Sequence, residues 1–386
     1  MTSPLPETQA KPPLFTHNYV LAVLVNGLLF FGFQLYPSAL PPYLQSLGAD
    51  EFLMGLLTAL STLPAIISRP VAGLLLDRYG RFPVLLCGLG SMTLIAVIMD
   101  FFPTLILILV LRTLNGLAWG LAGTGTATTA ADFIPRSRMG EGMGYFSLSC
   151  SLAMAVAPAL ALSISPEWMF HLGGVFLAAS LALAFCIHYR KLPDPGKNRG
   201  TLLEKRSLRP AAIVMCTNAS YGAVVTFLAP FALSEGIAHV GLFFTVFAVA
   251  LMVSRPYVGR LVDRIGCKAA LLPGILALAL SLLILSYVHN LFTLLISGFL
   301  YGLAHGTVMA ASQTLAILRA PKERLGAANA TYSTCFDLGL GLGALCFGAL
   351  ASTVSYSMMF LICALSQILP LLVLKGDHES DRAQDL

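Results

Sequence analysis

Long apolar runs dominate this sequence and limit what it can fold into. A helix needs about 20 apolar residues to cross about 30 Å of hydrocarbon, and twelve runs of suitable length are separated by polar or Pro/Gly-rich segments. The runs cover residues 18–44, 51–76, 82–100, 104–131, 141–163, 168–190, 209–234, 239–262, 268–288, 291–318, 326–352 and 355–375. We therefore predict an all-α integral membrane protein with twelve transmembrane helices.

The composition excludes a water-soluble globular protein. Of the 386 residues, 57% are hydrophobic and 11% are charged, whereas soluble domains carry about a quarter charged residues. The first run exceeds the roughly 7–15 residues of a signal-peptide core, so we expect it to remain as a spanning helix. The eight cysteines are scattered singly, without the paired spacing of zinc or redox sites. We predict neither a metal site nor a cofactor.

Among the loops, only alternate ones carry lysine and arginine residues. They follow the even-numbered runs, flank the central polar segment and end the chain, while the other loops hold none. By the positive-inside rule, both termini and the loops after even-numbered helices are predicted to be cytoplasmic. The chain is placed in the cell membrane, which for a bacterial protein is the inner membrane. The net charge of +5 is thus a topology signal and does not indicate nucleic-acid binding.

The longest polar segment divides the chain into nearly equal parts, and it is rich in Pro, Gly and charged residues. Such a composition is typical of a linker. The predicted organisation is a cytoplasmic tail (1–17), a six-helix bundle (18–190), a cytoplasmic linker (191–208), a second six-helix bundle (209–375) and a cytoplasmic tail (376–386).

The two halves contain an internal repeat. Residues 68–86 match residues 254–272 at an offset of 254 − 68 = 186, and the same offset relates later positions. The matched pairs include Arg69/Arg255, Gly73/Gly259, Asp77/Asp263, Gly80/Gly266, Gly116/Gly302 and Gly140/Gly326. Because each half has an even number of spans, we predict parallel pseudo-repeats related by an axis along the membrane normal.

With these residues, the chain resembles the major facilitator superfamily over essentially its whole length. Within that family it is most similar to the branch of drug/metabolite:proton antiporters. The family's signature between spans 2 and 3, G-x-x-x-D-R-x-G-R, is matched in the first half, and the second half keeps a weaker copy. The matching residues are Gly73, Asp77, Arg78, Gly80 and Arg81, with Gly259, Asp263, Arg264 and Gly266 in the second copy. The resemblance implies a twelve-helix secondary transporter that works by alternating access.

The signature is expected to form a conformational lock. Gly80 permits a tight turn, and Asp77 can accept hydrogen bonds from the N–H groups of a neighbouring helix N-terminus. Arg78 and Arg81 can pair with Asp132. The resemblance implies that this cluster holds one access state and loosens in the other. Its members are Gly73, Asp77, Arg78, Gly80, Arg81, Asp132, Asp263 and Arg264. The alternative is a charged loop that only anchors the topology.

Three residues are candidates for proton coupling. Arg112, in an R-x-x-x-G element similar to the family's, lies about 12 Å from the non-cytoplasmic end, at 1.5 Å per residue. Asp337 lies about 16 Å from the cytoplasmic Gly326, and an intramembrane ionisable group is functional by default. His305 could join the coupling. The alternatives are a snorkelling or carbonyl-bonded Arg112, an Asp337 hydrogen-bonded to a neighbouring helix, and a satisfied core histidine.

The resemblance implies that spans 1, 4, 7 and 10 line a central cavity. Polar and aromatic residues recur there at helical spacing, namely Asn26, Phe30, Phe33, Gln34, Asn115, Trp119, Asn218, Tyr221, Tyr301 and His305. The alternative for each is packing or bonding between helices. Span 5 departs from the antiporter element G-x-x-x-G-P-x-x-G, since it offers only Ala157-Pro158 with Ala161, which leaves the direction of transport open.

The sequence lacks the P-loop and the commonest hydrolase motifs, so ATP hydrolysis and enzymatic activity are disfavoured. We predict proton-coupled efflux of a small amphipathic compound. Proton-coupled uptake of a sugar or organic acid is the alternative, and a non-transporting membrane enzyme or receptor is a third. The expected partners are the small molecule, protons and the lipid bilayer, with the chain acting as a monomer and without nucleic acid.

Overall fold

The computed structural model describes the backbone at residues 12–46, 51–101, 104–164, 166–189 and 201–384. Side chains are described within these ranges except at 37–39, 41–46, 51–59, 155, 158, 159, 161–163, 166, 167 and 377–384. Throughout this part of the chain the secondary structure is helical, with no strand. The predicted all-α class is therefore confirmed.

The α-helices follow the apolar runs. They are α1 (His17–Ser46), α2 (Glu51–Tyr79), α3 (Arg81–Phe101), α4 (Leu105–Phe133), α5 (Met139–Ser163), α6 (Pro166–Phe185), α7 (Leu208–Ser234), α8 (Gly241–Ile265), α9 (Cys267–Ser286), α10 (Leu291–Arg319), α11 (Leu325–Ala351), α12 (Tyr356–Ser366) and α13 (Ile368–Gln384). Two of the connections are single glycines with positive φ, Gly80 (96°) between α2 and α3, and Gly266 (87°) between α8 and α9.

Eleven segments of the described residues are long and apolar enough to cross a membrane. The last combines α12 and the first part of α13, from Tyr356 to Gly376, so the twelfth apolar run forms one span with a break at Gln367. The helix α5 occupies the place of the fifth predicted span but is not among the eleven. Several of its side chains lie outside the described residues.

The helix contacts repeat between the two halves. In the first half α1 packs against α5 and α6, α2 against α4, and α3 against α4 and α6. In the second half α7 packs against α11 and α12, α8 against α10, and α9 against α10 and α12. Across the halves α2 packs against α11, and α8 packs against α5. Each contact thus has a counterpart six helices later, in agreement with the repeat in the sequence.

The outer surface is strongly apolar. Large hydrophobic side chains such as Ile67, Ile106, Phe292 and Leu345 are 69%, 77%, 73% and 72% exposed. A water-soluble protein rarely exposes apolar patches of this extent, whereas lipid is a good solvent for them. The chain is therefore a multi-pass membrane protein. We use the term basic end for the side of the bundle that carries the connections α2–α3, α4–α5, α8–α9 and α10–α11, which have Arg and Lys residues in them or at the adjoining helix ends.

Candidate functional site

A cavity of about 510 Å³ lies between the two halves, within the size range of small-molecule sites. Seven of the residues predicted from the sequence line it, namely Asn26, Phe30, Phe33, Gln34, Trp119, Tyr221 and His305. The lining is broader than expected, because α2, α5, α8 and α11 contribute as well as α1, α4, α7 and α10.

Each half supplies an aromatic wall to the cavity. In the first half Phe33 stacks on Trp119 with ring centroids 3.9 Å apart and planes 15° apart. In the second half the ring centroid of Tyr221 lies 5.6 Å from that of Phe247 and 4.9 Å from that of His305. Aromatic faces bind apolar and planar groups with little loss of conformational entropy. The cavity is therefore built for a molecule with a substantial apolar body.

Three residues predicted to line the cavity lie behind its lining. Asn115 accepts a hydrogen bond from Arg112, Asn218 Nδ2 donates to the carbonyl of Phe336 at 2.7 Å, and the Tyr301 hydroxyl bonds to Ser220 at 3.0 Å. All three are buried. Helical spacing places a residue on a face, but a face that meets a neighbouring helix looks the same in the sequence as one that meets a cavity.

Asp337 lies on the cavity lining and bridges the two halves. Its Oδ2 is 2.7 Å from Nε of Arg69, so an ion pair joins α11 of one half to α2 of the other. Arg69 was not singled out by the sequence analysis, although it occurs within the repeated segment and inside an apolar run. Its position inside an apolar run could have indicated a functional residue, because a charged side chain in the membrane interior is costly unless it is paired.

Arg255 is the equivalent of Arg69 in the second half, and it also lines the cavity. Arg255 is buried, with 4% of its surface exposed. The guanidinium donates a weak hydrogen bond from Nη2 to Met309 Sδ at 3.8 Å, and its Nε has no hydrogen-bond partner in the structure. Like Arg69, it lies in an apolar run within the repeated segment and was not predicted as a site residue.

Arg112 lies outside the cavity lining. Its guanidinium donates to Asn115 Oδ1 at 3.3 Å and to Ser61 Oγ at 3.2 Å, and it sits 5.8 Å from the ring centroid of Phe33. This places a fixed positive charge behind the first aromatic wall, through a cation–π contact. The structure therefore separates Arg112 from Asp337, which the sequence analysis had grouped.

His305 is part of the second aromatic wall. Its ring is stacked on Tyr301 with centroids 5.7 Å apart and planes 15° apart, and its Nδ1 has no hydrogen-bond partner in the structure. No carboxylate among the described residues forms an ion pair with it. This setting suits a neutral imidazole that contacts an apolar ligand better than a proton relay.

At the basic end, Asp77 ties the first half to the second. Its Oδ1 accepts from the backbone N–H of Gly326 and its Oδ2 from that of Ala327, both at 2.8 Å. These N–H groups belong to the first turn of α11, where the helix dipole favours a negative charge. The sequence analysis anticipated a helix N-terminus as the partner, and the structure identifies which helix it is.

Asp263 makes the equivalent contact from the second half to the first. Its two carboxylate oxygens accept from the backbone N–H groups of Gly140 and Glu141 at 2.7 and 2.8 Å, in the first turn of α5. The interface is symmetric, because 77 and 263 differ by 186, as do 140 and 326. We call these two carboxylate-to-helix contacts the paired clasps.

Gly73 and Gly259 allow the helices of the paired clasps to approach closely. A Cβ atom on Gly73 would lie 2.7 Å from the carbonyl oxygen of Gly326, and one on Gly259 would lie 2.5 Å from that of Gly140. Real Cβ atoms essentially never come so near to backbone atoms. Each clasp therefore requires glycine at this position.

The charged residues of the lock divide into two groups. Arg81 is buried and bonds to Asp132 Oδ2 at 2.7 Å and to Asp77 Oδ1 at 3.0 Å. Arg78 is exposed and lies over the ring of Tyr79 at 5.4 Å, so the partner of Asp132 is Arg81. Arg264 is exposed at the end of α8. Arg81 thus holds Asp77 in position for its clasp, and Arg78 and Arg264 carry the surface charge of the basic end.

The weakened element of span 5 lies mostly outside the described side chains. Ala157 is buried in α5, whereas the side chains of Pro158 and Ala161 are not among the described residues.

Comparison with known proteins places the chain in a family. A family model described as Major Facilitator Superfamily matches residues 22–239 and 211–384. Multidrug resistance protein MdtG of Escherichia coli is 26% identical over 378 residues, covering 92% of each chain. An uncharacterised MFS-type transporter of Methanocaldococcus jannaschii is 23% identical over 344 residues, covering 84% of this chain and 89% of the relative.

Two solved structures share the fold. The human organic anion transporter MFSD10 superimposes with a TM-score of 0.83 at 17% identity, covering 94% of this chain and all of that one. The Escherichia coli fucose:proton symporter FucP superimposes with a TM-score of 0.77 at 16% identity, covering 93% and 98%. At these identities the likeness concerns the fold alone.

Proposed function

The chain belongs to the major facilitator superfamily, and from this premise we propose that it exports a small amphipathic compound in exchange for protons. It is a membrane transporter and not an enzyme. The Arg69–Asp337 ion pair carries the proposal, because it joins the two halves at the wall of the cavity. The likeness to multidrug resistance protein MdtG supports export, and the aromatic walls support an amphipathic substrate.

The proposal includes an orientation in the membrane. Counting α5 in addition to the eleven other spans gives twelve crossings, so both termini lie on the same side of the membrane. The positive-inside rule then makes the basic end cytoplasmic. The paired clasps then close the cytoplasmic side of the cavity. In the proposed cycle we assign the structure, with the clasps formed, to the outward-facing state.

Protonation of Asp337 supplies the coupling step. When Asp337 is ionised, its bond to Arg69 links α2 to α11 and adds to the contact that closes the cytoplasmic side. A proton on the carboxyl group removes its negative charge, so the ion pair becomes a weaker hydrogen bond between the Arg69 guanidinium and a neutral carboxyl group. The halves can then separate at the basic end. In this cycle the proton enters from outside, favours the inward-facing state and leaves to the cytoplasm before the substrate is carried out.

The membrane potential provides the energy. Each elementary charge that moves across the membrane gains about 2.3 kcal/mol per 100 mV. A proton moving inward on Asp337 follows that potential and can drive the return of the cavity. No nucleotide site is needed for this cycle.

We test the proposal in everted membrane vesicles whose lumen has been acidified, where the basic end faces the assay medium. A panel of amphipathic dyes and drugs, cationic, neutral and anionic, is added outside, and a fluorescent pH indicator reports proton loss from the lumen. The wild-type protein is expected to respond to some members of the panel. Asp337→Asn, which mimics the protonated carboxyl group, is expected to abolish the response to each of them.

Glu323→Gln is the matched control, since it makes the same chemical change on an exposed carboxylate in the connection between α10 and α11. It should behave like the wild type. A wild-type response in Asp337→Asn would overturn the coupling role. Proton movement only when the compound starts inside the lumen would show symport, the alternative function.

A further inference from the structure

Arg255 is a buried cation that faces the cavity and has no counter-ion among the described residues. It forms no ion pair with any carboxylate in the described part of the chain. The ionisable groups that face it from the surrounding helices are Cys150 on α5, His305 on α10 and Tyr332 on α11. None of them carries a negative charge near neutral pH in its ordinary form.

The internal repeat shows what is missing. The offset of 186 places Arg69 opposite Arg255 and Asp337 opposite Ser151, because 337 − 186 = 151. Ser151 also lines the cavity, and its hydroxyl donates to the carbonyl of Ser147 at 3.1 Å. The first arginine therefore has a carboxylate partner from the opposite half, and the second has a serine in the corresponding place.

The membrane interior makes this imbalance expensive. Arg69, Arg112 and Arg255 are all buried within the spans, and Asp337 is bonded to the first of them alone. Charged groups at this depth are normally paired with one another or face a functional cavity. A positive group in the cavity wall that has no carboxylate partner among the described residues is suited to a partner that arrives with the ligand.

We infer that the cavity binds an amphipathic organic anion, with a carboxylate-like head group on Arg255 and the apolar body between the aromatic walls. A guanidinium presents two parallel N–H donors to a carboxylate and discriminates strongly for that geometry. Phe244, Phe247 and Leu251, from the same helix α8, line the cavity next to it. A charged head and an apolar body can therefore be bound together.

This inference deepens the proposed function and rests on it for the role of the cavity as the transport site. It agrees with the proposed energetics. An anion that moves outward while a proton moves inward transfers charge down the membrane potential in both steps, each gaining about 2.3 kcal/mol per 100 mV.

The test measures binding to the full-length protein in detergent. The probes share one skeleton and differ in charge: phenylhexanoate, its neutral amide phenylhexanamide and the cation phenylhexylamine, with biphenylbutanoate and its amide as a larger pair. Quenching of Trp119 on the cavity wall reports binding in a Trp168→Phe background, since the chain has 2 tryptophans and Trp168 is exposed. The two carboxylates are expected to bind at least about tenfold more tightly than their amides.

Two pairs of variants separate charge from shape. Arg255→Gln should lose at least about tenfold in carboxylate affinity and change amide affinity little, while Arg255→Lys should retain part of the preference. Ser151→Asp places a carboxylate where the repeat has Asp337, so it should abolish carboxylate binding with Arg255 intact. Ser151→Asn is its neutral control and should keep the preference. Thermal unfolding checks that each variant is folded.

The outcomes decide between the two proposals. If the amides or the amine bind as tightly as the acids, if no acid binds, or if Arg255→Gln and Ser151→Asp both keep the preference, the inference is wrong. Acid binding that depends on Arg255, combined with no proton exchange in the vesicle assay, would overturn the proposed function alone. Proton exchange with neutral or cationic members of the panel only would overturn the inference alone.

Discussion

At the basic end, Asp77 and Asp263 each accept hydrogen bonds from two backbone N–H groups of the opposite half, at nearly identical distances. About 12 Å deeper, eight residues along each helix, the halves differ. Arg69 is paired with Asp337, and Arg255 has no counter-ion among the described residues. The same duplicated helix pair therefore forms matching clasps at one level and unequal charges at the next.

The comparison shows what each level contributes. In the proposed cycle, the matching clasps close one side of the cavity, and the two halves contribute equally to that closure. Unequal charges allow one position to exchange a proton and leave the other free for a ligand. A cavity with two complete ion pairs would offer no free charge, and one with two free arginines would offer no carboxylate to protonate.

The largest expected effect concerns the clasps. Gly73→Ala and Gly259→Ala each introduce a Cβ atom that overlaps backbone atoms of the opposite half, at a cost of about 1–3 kcal/mol, which lowers the ratio of closed to open protein roughly 5- to 150-fold. Because the clasps match, the two variants should act about equally. Spin labels at Arg136 and Lys322, exposed equivalent positions at the basic end, measure the separation of the halves.

Gly90→Ala is the control for this experiment, because a Cβ atom at Gly90 has nothing within 4 Å. It should leave the label distances unchanged. A shift in only one of the two clasp variants would show that the halves do not contribute equally to closure.

A separate effect, on stability, should distinguish the two arginines. Arg69→Gln leaves Asp337 buried without its ionic partner and should lower the free energy of unfolding by about 1–3 kcal/mol. Arg255→Gln removes a charge that has no counter-ion and should leave stability unchanged or raise it. Thermal unfolding of the purified variants measures the difference. Equal destabilisation by both would mean that Arg255 has a structural partner of the same strength as Asp337.

Much of the fold follows from the sequence, because a membrane-spanning helix requires an apolar run of a particular length, and such runs can be counted directly. Runs of apolar residues set the helices, and the repeat at an offset of 186 predicts the symmetric contacts between the halves. The clasp at Asp77 could be anticipated, since a carboxylate at a helix end favours a nearby helix N-terminus. Its counterpart at Asp263 follows from the repeat.

The site was harder to predict. Asp337 stood out as a carboxylate deep in an apolar span, but nothing in the sequence links α11 to α2, so its partner Arg69 was missed. Tyr301 and Asn218 have the spacing of cavity residues and face neighbouring helices instead, because periodicity does not distinguish a helix interface from a cavity wall. The repeat already pairs Arg69 with Arg255, and their positions inside apolar runs were the signal that both are intramembrane arginines. The same offset, applied to Asp337, shows that Ser151 occupies the equivalent position in the first half.

The most direct test of the account is the pH dependence of the separation between the halves at the basic end. With labels at Arg136 and Lys322, the wild-type protein is predicted to be closed at high pH, when Asp337 is ionised and bonded to Arg69, and to open as the pH falls. Asp337→Asn should be shifted towards the open state, and its label distance should change little between high and low pH. A pH response in Asp337→Asn equal to that of the wild type would contradict the account.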